Sequence, residues 1–73
     1  MLYKQCKIQY DFGSYEVCWI PENFAHKRKS LLIDWDDGVS RLCVVEEVYD
    51  DVRLPKAMVE INRTYPLRKV TDI

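Results

Sequence analysis

The sequence predicts a mainly β domain with one C-terminal helix, folded as a small, strongly curved antiparallel sheet or SH3-like barrel. Three observations carry that expectation. Apolar and polar residues alternate along Tyr3–Tyr10 and again along Tyr15–Ile20, the period of half-buried strands. Tight-turn signals separate the runs, "DFGS" at 11–14 and "DDG" at 36–38. Only after Pro55 does the apolar spacing become helical. Short strands joined this way favour a curled sheet with a helix over its open end.

In the first strand Cys6, Ile8 and Tyr10 share one face and Lys7 and Gln9 the other. The second, Tyr15–Ile20, puts Tyr15, Val17 and Trp19 opposite Glu16, Cys18 and Ile20, so both faces are expected to be partly covered. Pro21 ends it, because proline cannot donate to a ladder. "PENFAH" suits one short helical turn, with Phe24 and Ala25 closing one end of the core. A third strand spans Leu31–Trp35, and the longest spans Ser40–Tyr49. In that longest strand apolar residues occupy both parities, so a bulge near Val45 is needed to bring those before and after it onto one core.

The helix is expected at about 55–65, with Pro55 in its first turn and Met58, Ile61 and Tyr65 on one face beside Ala57. Pro66 stops it. Residues 1–66 then form a single domain, and "LRKVTDI" at 67–73 is a basic C-terminal tail.

Seventy-three residues bury only about 60% of the surface exposed by the unfolded chain, which disfavours a deep catalytic cleft. The sequence has no Gly-rich phosphate loop, nucleophile elbow or His-Glu-x-x-His pattern, so an enzyme is not expected. Cys6, Cys18, Cys43 and His26 match the count of a zinc site, but none stands in a close ligand pair. They predict reduced core thiols and neither metal nor cofactor. No apolar run approaches the ~20 residues that cross a bilayer, so no membrane partner is expected.

Eleven basic against twelve acidic residues leave a net charge of -1. No global field then favours nucleic acid, and any such contact is local and weak. The charges are nevertheless sorted, with the basic run His26-Lys27-Arg28-Lys29 followed by Asp34, Asp36 and Asp37. Trp19 and Trp35 fall at strand ends, where a small barrel can present aromatic platforms to a peptide or a cation, although large aromatics are usually highly buried and the favoured expectation is that one or both fill the core. The candidate partner-binding set is therefore Trp19, Lys27, Arg28, Lys29, Trp35, Asp36 and Asp37. An alternative nucleic-acid set is His26, Lys27, Arg28, Lys29, Arg63, Arg68 and Lys69. A further alternative makes Trp35, beside "DDG", part of a Tudor-like aromatic cage. Open strand edges allow a homodimer.

The segment "CWIPENFAHKRKSLLI" carries a resemblance. Trp19-Ile20-Pro21, then Phe24-Ala25, Leu31 and Ile33, Val45 and Val48, and Arg68, Lys69, Thr71, Asp72 and Ile73 together resemble a group of short proteins encoded by tailed bacteriophages. The likeness spans about three quarters of the chain. Those proteins usually carry glycine where this chain has Arg28, and tryptophan where it has Cys43. The resemblance implies a non-enzymatic binding protein in the cytoplasm of an infected bacterial cell. Its partner would be a host or phage protein, and its effect the modulation or inhibition of transcription, nuclease or defence machinery.

Overall fold

The computed structural model describes residues 1–61 and 65–72, without the side chains of Asp50, Asp51 and Asp72. Its elements are β1 (Leu2–Tyr10), β2 (Ser14–Pro21), a 3-10 turn (Glu22–Phe24), β3 (Ser30–Asp34), β4 (Ser40–Pro55), α1 (Lys56–Ile61) and β5 (Lys69–Asp72). The five strands form one antiparallel sheet in the order β2-β1-β4-β3-β5, curled into a half-barrel. The chain is thus mainly β, with one short helix.

β1 and β2 form a hairpin from Tyr10↔Ser14 to Tyr3↔Pro21. Its turn, Asp11 to Gly13, needs positive φ at both ends, 48° at Asp11 and 96° at Gly13. Aspartate and glycine are residues that tolerate that region.

β4 is long enough to pair with β1 along one edge and β3 along the other, and it bends by carrying extra residues. Lys7 pairs with Glu47 but Ile8 pairs with Val45, so Glu46 is a one-residue bulge. The bulge turns both Val45 and Val48 inward, Val45 as a fully buried residue and Val48 packed against the same cluster. This is the predicted bulge near Val45, and it explains the Val-x-x-Val spacing. A second irregularity lies where Lys4 pairs with Arg53 and Gln5 with Tyr49. There β4 runs three residues longer than β1, which carries the strand past its predicted end at Tyr49.

Residues 67–72 are not a tail. Lys69–Asp72 pairs with β3 as the fifth strand, from Asp34↔Lys69 to Leu31↔Asp72. Just before it, the Trp19 N–H donates to the Pro66 carbonyl at 2.8 Å and the Arg68 N–H donates to the Trp19 carbonyl at 2.9 Å. These two bonds join the β2 edge to the segment entering β5, so the two outer edges of the sheet meet at Trp19.

The inside of the curl holds Cys6, Ile8, Cys18, Ile20, Ala25, Leu31, Ile33, Cys43 and Val45, with Phe24 and Trp35 packed against them. On the other parity of β1 and β2, Tyr3, Trp19 and Val59 form a second cluster with Leu54 and Leu67. Both faces of β2 are therefore partly covered, as its composition predicts, with Tyr15 left exposed on the outer one. The helix, however, is shorter than predicted and docks through a different face. Val59 is buried, whereas Met58, Ile61 and Tyr65 are exposed. Within Lys56–Ile61 Val59 is the buried residue, and it fixes this turn of helix against Tyr3 and Trp19. Residues 62–64 of the predicted helix lie outside the described residues.

Candidate functional site

The predicted site residues separate to two ends of the half-barrel. At the end carrying the 35–39 loop, Trp35 is half-buried, its ring centroid 4.9 Å from that of Tyr10. The guanidinium of Arg68 lies 4.6 Å and that of Arg41 5.0 Å from the Trp35 centroid. Arg68 is 6% exposed and holds Glu16 with two parallel bonds, Nε to Oε2 at 2.8 Å and Nη2 to Oε1 at 2.7 Å. Its Nη1 reaches Asp36 Oδ2 at 3.5 Å, an ion-pair distance without hydrogen-bond geometry. The fork geometry of arginine matches a carboxylate, and its delocalised charge stacks on an indole, so one side chain closes the seam and covers the tryptophan.

Asp37 is a turn residue. Its Oδ1 accepts from the Val39 N–H at 3.0 Å, and its Oδ2 pairs with Arg41 at 3.2 Å. The Val39 N–H and then the Arg41 guanidinium hold its carboxyl below the usual carboxylate range. Gly38, at φ 81°, lets the chain reverse between them.

The opposite end carries the basic run. The 3-10 turn delivers Ala25 into the core and sends His26, Lys27 and Arg28 into solvent. The Lys29 N–H closes a turn onto the His26 carbonyl at 3.0 Å. Two further bonds tie that turn to β4, from the Arg28 N–H to the Val45 carbonyl at 2.7 Å and from the Val45 N–H to the Lys29 carbonyl at 2.9 Å. Arg28 stands at φ 71°, a left-handed conformation that favours glycine. The loop therefore has a glycine-type backbone at a position that carries a cation.

Beneath this turn lies an open cleft of about 520 Å³, lined by Lys4, Glu22, Asn23, Ala25, His26, Lys27, Glu47 and Val48. Glu22 is paired with Arg53 at 3.3 Å. The cleft lining sets Lys4 and Lys27 against Glu22 and Glu47, so its charge is mixed, and the exposed cations beside it are Lys27 and Arg28 of the turn.

Several sequence expectations are corrected by this geometry. Trp19 does not face a partner: it is 2% exposed, packed with Tyr3 and Val59. Its indole N–H finds no acceptor among the described residues. Trp35 is not an open cage either, since the chain's own arginines occupy its ring, and this removes the support for a Tudor-like reader. Arg68 does not join the basic run, because Glu16 and Trp35 hold it buried. Lys69 pairs with Asp34, four residues from the Ser30 end of β3, which places it about 13 Å from the loop at the rise of a strand. Arg63 lies outside the described residues. The nucleic-acid set is thus not assembled as one patch.

Of the partner-binding set, Lys27, Arg28, Asp36 and Asp37 are exposed, and Lys29 and Trp35 are half-buried. Sequence reasoning missed Lys4, Glu22, Asn23, Glu47 and Val48. The signal for Lys4 was present, as a charge on the apolar parity of β1.

The three cysteines are buried and none is in a disulfide. Cys6 and Cys18 are directly opposed across the hairpin. Because Trp19 turns its N–H and C=O away from β1, the alternation of an antiparallel ladder makes Cys6–Cys18 a hydrogen-bonded pair, the wider spacing of the two. Burial, and secondarily Glu16, pushes the Cys18 thiol up and the Cys43 thiol up to about 11. Both are held as neutral thiols. Among the described residues no group of His, Cys, Asp and Glu is gathered to hold a metal ion, and no helix is long and apolar enough to cross a membrane.

The class defined by this geometry is a small curled antiparallel half-barrel with a polar cleft of mixed charge at one end. Compared with known proteins, the chain matches no family model, no curated protein and no solved structure.

Proposed function

We propose that the chain is a phage-encoded, non-enzymatic binding module that modulates a host protein by occupying part of its surface, with the His26–Lys29 turn and the cleft beneath it as the contact. The observation that carries this reading is Arg28 at φ 71°. Holding a side chain other than glycine in the left-handed region costs roughly 1–2 kcal/mol. Strain kept at an exposed, firmly tethered turn supports a role for that side chain beyond folding. The partner that fits presents carboxylates to the turn, because the exposed Lys27 and Arg28 steer such a surface toward it and the cleft's polar lining suits a hydrated contact. Glu22 and Glu47 within the cleft repel a continuous row of phosphates, whereas a protein surface can set carboxylates against Lys27 and Arg28 and hydrogen-bond donors against the two glutamates, which favours protein over nucleic acid.

The test is affinity capture from bacterial lysate with the wild-type chain and with Lys27→Glu/Arg28→Glu. A partner retained by the first and lost by the second supports the proposal. Equal capture by both overturns the assignment of the turn. Binding to short DNA or RNA that weakens with salt and disappears in the same variant would instead favour nucleic acid.

A further inference from the structure

The cleft beneath the His26–Lys29 turn is lined by two carboxylates with different surroundings. Glu22 is half-buried and its Oε1 accepts from Arg53 Nη1 at 3.3 Å, so a cation of the chain already answers it. Glu47 is exposed. The residue opposite it in the β1 ladder is Lys7, but the Lys7 ammonium lies 4.6 Å from the centroid of the Tyr15 ring. Tyr15 belongs to β2, which flanks β1 on the side away from β4, so Lys7 is drawn away from the glutamate.

Glu47 is therefore a solvent-accessible carboxylate of the β4 wall, in a lining whose turn side supplies the exposed His26 and Lys27. Val45, in the same strand, carries the two backbone bonds that hold the turn, so the fold fixes the spacing between the glutamate and the cations of the turn. The lining also includes half-buried Val48, against which a methylene stem can pack. At about 520 Å³ the cleft is of the size that receives ligand groups, ~300–1,000 Å³.

We infer that the cleft takes up a cationic side chain of the partner at Glu47, beside partner carboxylates that meet Lys27 and Arg28. This rests on the turn and cleft being the contact, and it adds the sign of the charge expected at each part of it. A uniformly acidic surface satisfies the turn but sets its remaining carboxylates against Glu47, a like-charge contact that disfavours binding. A surface of mixed charge satisfies both. Arginine fits Glu47 better than lysine, because its planar fork bonds both oxygens of a carboxylate.

Two blocked tripeptides, Glu-Arg-Glu and Glu-Gln-Glu, test this when titrated at low salt into the isotope-labelled chain. Both should shift the Lys27 and Arg28 amides, and only the first should also shift Glu47 and Val48. Glu-Arg-Glu should bind about fivefold more tightly, the upper range for a solvent-accessible ion pair. Glu47→Gln should lose that preference and Glu47→Arg should reverse it, with the folding of each variant read from the same spectrum. In capture from lysate, Glu47→Arg should release the partner, whereas a uniformly acidic partner would be held more tightly by it. Equal binding of the two peptides by the wild-type chain, or tighter binding of Glu-Gln-Glu, would overturn the inference and leave the turn as the contact. Shifts at neither Lys27 nor Arg28 with either peptide would also overturn it, and the contact itself then stands or falls on capture by the wild type against Lys27→Glu/Arg28→Glu.

Discussion

Arg68 and Glu16 lock the seam of the half-barrel, bonded at 2.8 and 2.7 Å although 52 positions separate them in sequence. Arg68 also covers Trp35, so the pair joins the closure of the sheet to the burial of its largest end residue. Removing one member leaves the other without its partner in a site from which water is largely excluded. Arg68→Met should therefore cost about 2–3 kcal/mol in urea denaturation, below the range for fully buried pairs because Glu16 keeps some solvent contact. The double change with Glu16→Gln should cost less than the two single changes added together.

Trp19 is expected to be structural. Trp19→Ala should lose about 3–5 kcal/mol, the range for a buried aromatic truncated to a methyl. Trp19→Phe should lose clearly less, since it keeps most of the packing against Tyr3 and Val59 and also removes the buried indole N–H. Equal losses in the two variants would show that packing is not what Trp19 supplies.

Arg28→Gly should raise stability by about 0.5–1 kcal/mol, because glycine adopts φ 71° without steric cost. Capture of the partner should fall in the same variant. That opposite movement of stability and binding, read by thermal unfolding and by pull-down, distinguishes a functional arginine from a merely tolerated one.

The thiols give a pH-dependent expectation. A folded thiol pKa raised above its unfolded value stabilises the fold at pH below the unfolded value of 9.0, and that stability is lost as pH rises toward about 11 at Cys43. Thermal stability should thus decline above pH 9. Cys6, Cys18 and Cys43 should resist alkylation at pH 8 until denaturant is added. Rapid native labelling would contradict their burial.

The strands and their turns were legible because each rests on local chemistry. Alternation in 3–10 and 15–20, Asp-Gly at 37–38, and the mixed parity that called for a bulge near Val45 all act over a few residues. What was illegible depends on distant pairing. "KVTD" at 69–72 has charged ends and little alternation, and only the open edge of β3 makes it a strand. Trp19 sits on the same parity as exposed Tyr15, and nothing local shows that α1 and Leu67 cover it. Arg68 looked like part of a basic tail because its carboxylate partner lies in β2. The cleft gathers residues from β1, the 3-10 turn, the loop and β4, so its sequence trace was limited to the misplaced charge of Lys4.

The most direct test of the proposed contact is an NMR spectrum of the isotope-labelled chain recorded in buffer and then in bacterial lysate. Binding through the turn and cleft should broaden or shift the amides of residues 22–29, 47 and 48, and leave Trp35, Leu42 and Val44 unchanged. Broadening confined to Leu32, Leu42 and Val44 on the outer face of the sheet, or an unchanged spectrum, would contradict it.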